Sequence, residues 1–337
     1  GTDMNFDVIL GNPPYQEMGG SGGNNDAPIY QHFVTKAEQL KPDYMSLIIP
    51  ARWFAAGREN LLGNFRKEML ENKHLKKMVV YPDARELFDN VEIKGGVCYF
   101  LLNSHTYTDC EYTLVKKGIK ETEKRKLDAF DILIRETKLS KIVEKVDKSR
   151  MKDKIKSVES IISADTPFGI SSNPRTSKKN PFNVYETSSS EHNTLFYHIE
   201  NQKRKIEYCK KTDITKNRQD INRYKVFITG TGGSGNDDIV LAQPEFAPEN
   251  SVCSQSYLYA AFDTELEAKN FIKYLKTKFF RILVSAMKIT QSAPRRVYRF
   301  VPIQNFKEEW TDEKLYDKYN LSPEERNFID SKIRTME

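Results

Sequence analysis

The tetrapeptide Asn12-Pro13-Pro14-Tyr15 combines residue types that can bind a flat molecule carrying an amino group. Each proline fixes its own φ at roughly −65° and keeps the residue before it extended, so the Asn12 amide oxygen and the Pro13 carbonyl oxygen can point the same way. Two aligned acceptors suit both protons of one amino group, and the Tyr15 ring offers a face for a planar base. A rigid turn with an asparagine cap and a core tyrosine is the alternative.

The sequence around this tetrapeptide predicts the elements that position it. Phe6 to Gly11 is a short apolar run ending in glycine, which predicts a buried strand that stops at the turn. Gly19 to Asn25 contains only Gly, Ser and Asn and predicts a flexible loop. Pro28 to Leu40 has helical spacing, and Met45 to Ile49 predicts the next buried strand. This order of strand, helix and strand indicates an α/β fold.

Further along the chain, the apolar spacing predicts another helix through Leu61, Phe65 and Leu70. It also predicts five strands, at Met78 to Tyr81, Val97 to Leu102, Phe182 to Tyr185, Tyr224 to Thr229 and Ser256 to Phe262. Lys116 to Ser157 is dense in Lys and Glu and predicts an exposed amphipathic connecting helix. Thr264 and Glu267 form a capping-box pattern that predicts one long helix toward Ile289, and Ser322-Pro323 opens a last short helix.

Positive charge is concentrated in one segment. The chain has 337 residues and a net charge of +6, and Thr264 to Phe300 alone holds nine basic residues against two acidic ones. Such a concentration is typical of a phosphate-binding face, although a solvated helix with a basic tail would give the same count. The predicted phosphate contacts are Lys269, Lys273, Lys276, Arg295, Arg296 and Arg299, with Arg175, Lys178 and Lys179 on a facing loop.

Composition excludes several classes of protein. The most apolar stretch, Tyr44 to Ala56, is interrupted by Pro50 and Arg52 and is shorter than the roughly 20 residues that a membrane helix requires. The four cysteines have neither metal-ligand spacing nor the density of a disulfide framework. We therefore expect a cytoplasmic protein without a membrane or metal site.

The whole segment Phe6 to Tyr15 resembles the catalytic motif of DNA adenine-N6 methyltransferases, in the gamma-class form that fused, type IIG-like restriction-modification enzymes also use. Met45 to Phe54 resembles the next strand of that fold, and Phe88 with Val91 to Tyr99 resembles a late hairpin that lines the base pocket. Three distal segments are similar to the target-recognition region of such enzymes. They are Phe168 to Ser172, Thr277 to Arg281 and Trp310 to Glu313.

The resemblance implies a fold and a mechanism. The fold would be the C-terminal half of a Rossmann-like methyltransferase domain with an α+β target-recognition domain, divided into a catalytic part over 1–115, a helical connector over 116–160 and a recognition domain over 161–337. Asn12 and the Pro13 carbonyl would accept hydrogen bonds from adenine N6, Pro14 would hold the turn, Tyr15 would stack on the flipped base, and Phe88 would form a second wall. The partner would be double-stranded DNA.

The resemblance also implies a part that this sequence does not contain. In the gamma order, the Gly-rich turn that binds S-adenosylmethionine precedes the Asn-Pro-Pro-Tyr strand, and no such turn stands before Asn12 here. We therefore expect a C-terminal fragment of a larger enzyme, which lacks cofactor-binding residues of its own, binds S-adenosylmethionine weakly and does not methylate DNA without its N-terminal half.

Two other motifs suggest different functions. Gly230 to Gly235 satisfies the GxGxxG pattern, but Pro244 and Pro248 follow where a helix should begin, so we expect a turn and a strand over Ile239 to Leu241. Asp83, Glu92 and Lys94 resemble the residues of a Mg-dependent restriction nuclease. A DNA-binding specificity module without catalysis is the remaining alternative, and a start codon near Met4 in the gene would favour it.

Overall fold

A computed structural model describes residues 6–17, 27–55, 57–178, 181–231, 238–288 and 292–337. The chain divides into two compact units between Ser140 and Lys141. No helix among these described residues is long and apolar enough to cross a membrane. The predicted loop over Gly19 to Asn25 lies outside the described residues.

The first unit is built on a six-stranded mixed sheet with the order β1-β2-β4-β3-β5-β6. The strands are β1 (Val8–Gly11), β2 (Tyr44–Pro50), β3 (Leu75–Tyr81), β4 (Val97–Asn103), β5 (Cys110–Lys116) and β6 (Ile119–Arg125). Strand β1 is parallel to β2 and β3 is parallel to β5, whereas β4 runs antiparallel to both β2 and β3. The helices are α1 (Tyr30–Gln39), α2 (Asn64–Glu71) and α3 (Thr137–Lys152), which crosses into the second unit.

The core of this unit lies on the central strands. Met45, Ile49, Met78, Val80 and Phe100 are all buried and pack in one cluster with side chains of the helices and of the turn after β2. The cluster members from those other elements are Tyr30, Val34, Trp53, Phe54, Phe65 and Met69. The strands alternate buried and exposed positions, as expected for a sheet with one face against helices.

Strand β1 forms where the sequence predicts it, but it is not buried. Val8 is 51% exposed and Leu10 is 73% exposed, because β1 is the edge strand and, among the described residues, pairs only with β2. An apolar edge strand of this kind leaves a row of backbone groups available to a further strand.

The prediction of a helical connector from residue 116 is wrong over its first part. Residues Ile119–Arg125 form β6, which pairs antiparallel with β5 in continuous register from Lys116↔Ile119 to Cys110↔Arg125. The Lys and Glu side chains suit this strand because it lies at the edge of the sheet with both faces in solvent. Glu86 fixes the turn, since its carboxylate accepts from the amides of Lys117 and Gly118 at 2.7 and 3.0 Å.

The second unit contains two three-stranded sheets and four further helices. One sheet has the order β11-β7-β8 and the other β10-β9-β12. The strands are β7 (Thr194–Glu200), β8 (Lys203–Cys209), β9 (Tyr224–Thr229), β10 (Glu245–Ala247), β11 (Ser251–Cys253) and β12 (Tyr257–Phe262). The helices are α4 (Glu265–Lys276), α5 (Lys278–Ser285), α6 (Asp312–Lys318) and α7 (Pro323–Lys332). The predicted mixed α/β class is confirmed, and the predicted capping box at Ser322 opens α7.

Two predictions for the second unit are wrong. Phe182 to Tyr185 makes a single bridge, Tyr185↔Tyr208, instead of a strand, because only one residue of the segment pairs with β8. The long helix predicted from Thr264 is broken at Thr277, whose backbone is extended at φ −63° and ψ 152°. Thr277 thus ends α4 and caps α5, because its hydroxyl accepts from the Phe280 amide at 3.1 Å.

Tertiary contacts hold this helix break. The Asp312 carboxylate accepts from the amides of Lys278 and Phe279 at 3.1 and 2.8 Å. The Arg281 guanidinium is buried and donates to the carbonyls of Lys276, Thr277 and Ile239. Burial lowers the pKa of Arg281. The Arg281 guanidinium therefore stabilises backbone carbonyls inside the second unit.

We expect Thr277→Ala to destabilise the protein more than Thr311→Ala. Both residues cap a helix, but Thr277 is buried, so its loss leaves the buried Phe280 amide without its partner and removes the hydroxyl's 2.6 Å bond to the Tyr274 carbonyl, which keeps only the Thr277 amide. An unpaired buried group costs about 1–3 kcal/mol, whereas an exposed cap contributes about 1 kcal/mol. Urea denaturation of the two variants measures the difference. Equal losses would contradict this role of Thr277.

Candidate active site

The Asn12-Pro13-Pro14-Tyr15 corner lies directly after β1 and is tied to the start of α1. The Tyr15 carbonyl accepts from the Ile29 amide at 3.2 Å, and the Glu17 amide donates to the Ala27 carbonyl at 3.0 Å. Asn12 is exposed. Among the described residues, neither the Asn12 side chain nor the Pro13 carbonyl makes a hydrogen bond. The two predicted acceptors are therefore both unoccupied within this part of the protein.

Four turns meet at one edge of the sheet. They are the Asn12 corner after β1, the turn after β2, the turn after β3 and the turn before β4. Strands β1 and β2 are parallel, so their carboxyl ends lie together, and β4 begins beside the ends of β2 and β3 through the pairs Pro50↔Val97 and Tyr81↔Val97. The Ala51 amide donates to the Gly96 carbonyl at 2.9 Å and joins two of the turns. The carboxyl edge of an open α/β sheet is where ligands bind in such folds.

Tyr15 is half-buried, and its hydroxyl is buried without a hydrogen-bond partner among the described residues. The Tyr30 hydroxyl is in the same situation. Both hydroxyls lie within electrostatic reach of the Cys98 thiol, which the Trp53 indole also approaches. Tyr30, Trp53 and Cys98 belong to one buried cluster, and we call these three side chains the floor of the site. The sequence did not predict them, because they lie far apart in the chain. Tyr30 is on α1, Trp53 is in the turn after β2, and Cys98 is on β4.

Burial determines the protonation of this floor. It raises the pKa of the Cys98 thiol to about 12, and it also raises the pKa values of Tyr15 and Tyr30. All three groups are therefore neutral near pH 7. Cys98 is not an activated thiolate, because a reactive cysteine requires a lowered pKa.

Phe88 and the three residues of the nuclease-like pattern lie along the same edge. Phe88 is half-buried in the turn after β3, where its amide donates to the Ala84 carbonyl at 2.9 Å. Asp83 binds Arg85 through its side chain at 2.9 Å and caps the turn, while Glu92 and Lys94 are exposed. Within the described residues, no group of three His, Cys, Asp or Glu side chains is placed to hold a metal ion.

The predicted phosphate contacts on α4 are occupied to different degrees. Lys269 pairs with Glu265 at 2.7 Å, Lys273 pairs with Glu309 at 3.1 Å, and Lys276 donates to the Glu337 carbonyl at 3.1 Å. Both ion pairs are exposed at both ends and so contribute little to stability. These lysines can therefore exchange their partners for phosphates at small cost.

The predicted contacts outside α4 are less uniform. Arg295 donates to the Glu159 carbonyl at 3.0 Å, Arg296 is exposed, and the Arg299 guanidinium lies 5.2 Å from the Phe300 ring centre. Arg175 binds both carboxylate oxygens of Glu207 at 2.9 Å, so its charge is held within the second unit. Lys178 is exposed, and Lys179 lies outside the described residues.

The GxGxxG pattern falls mostly outside the described residues, which include only Gly230 and Thr231 of it. Residues 238–244 beyond it form turns and no helix, and the next strand is β10. The strand predicted over Ile239 to Leu241 does not form. The Leu241 amide donates locally to the Ile239 carbonyl at 2.8 Å, which is turn geometry.

Comparison with known proteins connects the corner to a family. Residues 1–88 match the family model described as Eco57I restriction-modification methylase. A curated relative, an uncharacterized adenine-specific methylase of Mycoplasma pneumoniae, is 47% identical over 100 residues. That match covers 29% of this chain and 24% of the relative, so the chain corresponds to a small share of the relative's length.

Solved structures of restriction-modification enzymes also resemble this chain. The type IIL enzyme MmeI in complex with DNA matches with a TM-score of 0.44 and 11% identity, over 87% of this chain and 45% of that one. The type IIG restriction endonuclease BpuSI matches with a TM-score of 0.38 and 13% identity, over 94% of this chain and 49% of that one. Here too the chain spans about half the length of the proteins it matches.

We expect Tyr30→Phe to leave the stability of the protein unchanged within about 0.5 kcal/mol, or to raise it, because the hydroxyl that is removed makes no hydrogen bond. Tyr112→Phe is the matched control. The Tyr112 hydroxyl donates to the Arg135 carbonyl at 2.7 Å, so this variant should lose about 1–2 kcal/mol. Urea denaturation provides both values. A loss in Tyr30→Phe as large as in Tyr112→Phe would mean that the Tyr30 hydroxyl has a bound partner.

Proposed function

We propose that this chain supplies the target-base pocket and the DNA-recognition part of a cytoplasmic DNA adenine-N6 methyltransferase from a restriction-modification system. The observation that carries the proposal is the exposed Asn12-Pro13-Pro14-Tyr15 corner, with two free acceptors at the carboxyl edge of the sheet, inside the segment that matches the methylase family. The second unit supplies the contacts to double-stranded DNA.

The corner suits an extruded adenine. The N6 amino group donates one proton to the Asn12 side-chain oxygen and one to the Pro13 carbonyl, and the Tyr15 ring stacks on the base with Phe88 as a second wall. Acceptors in these positions favour the form in which the N6 lone pair leaves conjugation with the ring. N6 then becomes nucleophilic without a strong general base, and positioning supplies most of the catalysis.

The methyl donor that the family implies is S-adenosylmethionine, which supplies an electrophilic methyl group. The described residues contain no glycine-rich turn that leads from a strand into a helix N-terminus, so they do not fit a complete site for it. We place the donor site on a further segment of the enzyme. The open edge of β1 supports this, because its exposed apolar residues and unpaired backbone suit another strand of the same sheet.

Base extrusion tests the proposed pocket without depending on the cofactor. A binding site is first selected from a randomised pool of DNA duplexes with the full chain, and 2-aminopurine then replaces the base next to each adenine of that site in turn, so that the adenine keeps its 6-amino group. We expect the fluorescence of 2-aminopurine to rise on binding at one position, because the neighbouring adenine leaves the stack. Asn12→Ala should reduce the rise, and Gln39→Ala, an exposed amide at the far end of α1, should not.

The same experiment separates this proposal from its alternative. Binding to DNA without a fluorescence rise beside any adenine would contradict the base pocket and favour a specificity module without catalysis. Equal signals from the Asn12→Ala and Gln39→Ala variants would remove Asn12 from the pocket.

Salt dependence tests the DNA contacts of α4. Changing Lys273 and Lys276 together to Ala should weaken binding to all duplexes. It should also lower the magnitude of the slope of log association constant against log salt concentration by about 0.9 for each phosphate that the protein no longer neutralises. The matched control changes Lys120 and Lys124 of β6, which removes the same charge from an exposed strand of the first unit. Fluorescence anisotropy at several salt concentrations measures both slopes. An unchanged slope in the Lys273 and Lys276 variant would contradict the assignment.

A further inference from the structure

Two exposed cations beside the corner have no carboxylate partner among the described residues. They are Arg52, in the turn after β2, and Lys94, in the turn before β4. Two acidic side chains of this edge are paired with other cations. Asp83 binds Arg85, whose charge also interacts with Glu92, and Glu59 binds Arg66 at 2.6 Å. Arg52 and Lys94 are therefore free to bind an anion.

The turn at Gly95 and Gly96 places the backbone segments that carry these two cations side by side. A Cβ atom on Gly95 would lie 3.7 Å from both Cα and Cβ of Arg52, so Lys94 and Arg52 stand on neighbouring backbones. Gly96 has φ +78°, and a Cβ there would lie 2.2 Å from the Tyr81 carbonyl oxygen. Only glycine fits this position, and the turn that carries Lys94 is consequently fixed against β3.

Arg135 supports the turn from behind. Its guanidinium donates to the Gly95 carbonyl and lies 5.6 Å from the Phe54 ring centre. Its Nε atom is buried without a partner, and no carboxylate pairs with it among the described residues. A buried guanidinium without a carboxylate partner among the described residues adds positive electrostatic potential to this edge of the sheet.

The cations also lie close to the proposed base pocket. Parallel β1 and β2 end at the same edge of the sheet, so the turn that carries Arg52 follows β2 at the edge where the Asn12 corner follows β1, and the Ala51 amide joins that turn to Gly96. Tyr30 and Tyr15 share the Cys98 thiol as a neighbour. An anion held by Arg52 would therefore sit beside the corner that receives the base. In a DNA strand, the anions nearest to an extruded base are its own flanking phosphates.

We propose that Arg52 and Lys94 bind a backbone phosphate flanking the extruded adenine, with Arg135 holding the Gly95 turn between them. This site rests on the proposed function and deepens it. It fixes the backbone of the target strand at the pocket, so that the base enters in one orientation, while the lysines of α4 contact phosphates elsewhere. Arg52 and Lys94 are binding residues in this scheme, and Arg135 is a positioning residue.

Arg52→Gln and Arg85→Gln form a matched pair for the test. Both remove one positive charge from an exposed arginine at the same edge, but only Arg85 is held by a carboxylate. We expect Arg52→Gln to weaken binding to the selected duplex about tenfold and to lower the salt slope by about 0.9, and Arg85→Gln to weaken binding less than about twofold. Arg52→Lys should recover part of the affinity because it restores the charge.

A neutral phosphate analogue identifies the contact directly. A methylphosphonate replaces, one at a time, the phosphates on either side of the adenine that becomes extruded. At one of these positions we expect the wild-type chain to lose about tenfold in affinity and Arg52→Gln to lose almost nothing further, because the partner is already missing. Lys94→Gln should respond to the same position.

The outcomes separate this site from the function on which it rests. If the wild-type chain binds no duplex, both are contradicted. If it binds and extrudes an adenine, but Arg52→Gln behaves like Arg85→Gln or every methylphosphonate affects both chains equally, the phosphate site is overturned and the base pocket stands.

Discussion

Strands β1, β2 and β3 run in one direction and β4 runs antiparallel between β2 and β3, so three strand ends and the start of β4 bring four turns of the first unit to one edge of the sheet. The Asn12 corner and the turn at Arg52 come from separate connections, and the turn that contains Phe88 and the Gly95 turn both come from the connection between β3 and β4. The hydrogen bond from the Ala51 amide to the Gly96 carbonyl and the close approach of Gly96 to Tyr81 keep them in place. The candidate active site therefore depends on the shared direction of β1, β2 and β3, and the antiparallel β4 adds the Gly95 turn to it.

This edge departs from ordinary packing in a consistent way. Its acceptors at Asn12 and Pro13 are unpaired, its tyrosine hydroxyls are buried without partners, and its cations at Arg52 and Lys94 lack carboxylates, among the residues that the structure describes. Buried polar groups normally find hydrogen-bond partners, so the two tyrosine hydroxyls indicate a site that a ligand completes, and the exposed acceptors and cations beside them are accessible to that ligand. The apolar edge of β1 next to it is likewise incomplete on its own.

Local patterns in the sequence were sufficient where an element depends on its own residues. Periodicity predicted α1 and the strands β2, β3, β4, β9 and β12, and cap residues predicted the starts of α4 and α7. The class of the fold and the Asn12 corner followed from these elements and one motif. The roles of the site residues are still predictions, since they depend on ligands.

Other features depend on contacts that are distant in sequence. The β6 strand is rich in helix-forming residues and becomes a strand only because β5 pairs with it. The break at Thr277 requires Asp312 and the Ile239 carbonyl, each more than thirty residues away. The exposure of β1 follows from its place at the edge of the sheet, and the floor of Tyr30, Trp53 and Cys98 comes from three elements. No local pattern carries this information.

The central claim, that Asn12 and the Pro13 carbonyl bind the N6 amino group of adenine, is tested most directly by removing that amino group from the DNA. The selected duplex is prepared with deoxyadenosine or with 2′-deoxypurine, which lacks the 6-amino group, at the extruded position. Affinities are then measured for the wild-type chain and for Asn12→Ala. We predict that the wild-type chain prefers adenine by about tenfold and that Asn12→Ala loses most of this preference. Equal affinities of the wild-type chain for both duplexes would contradict the account.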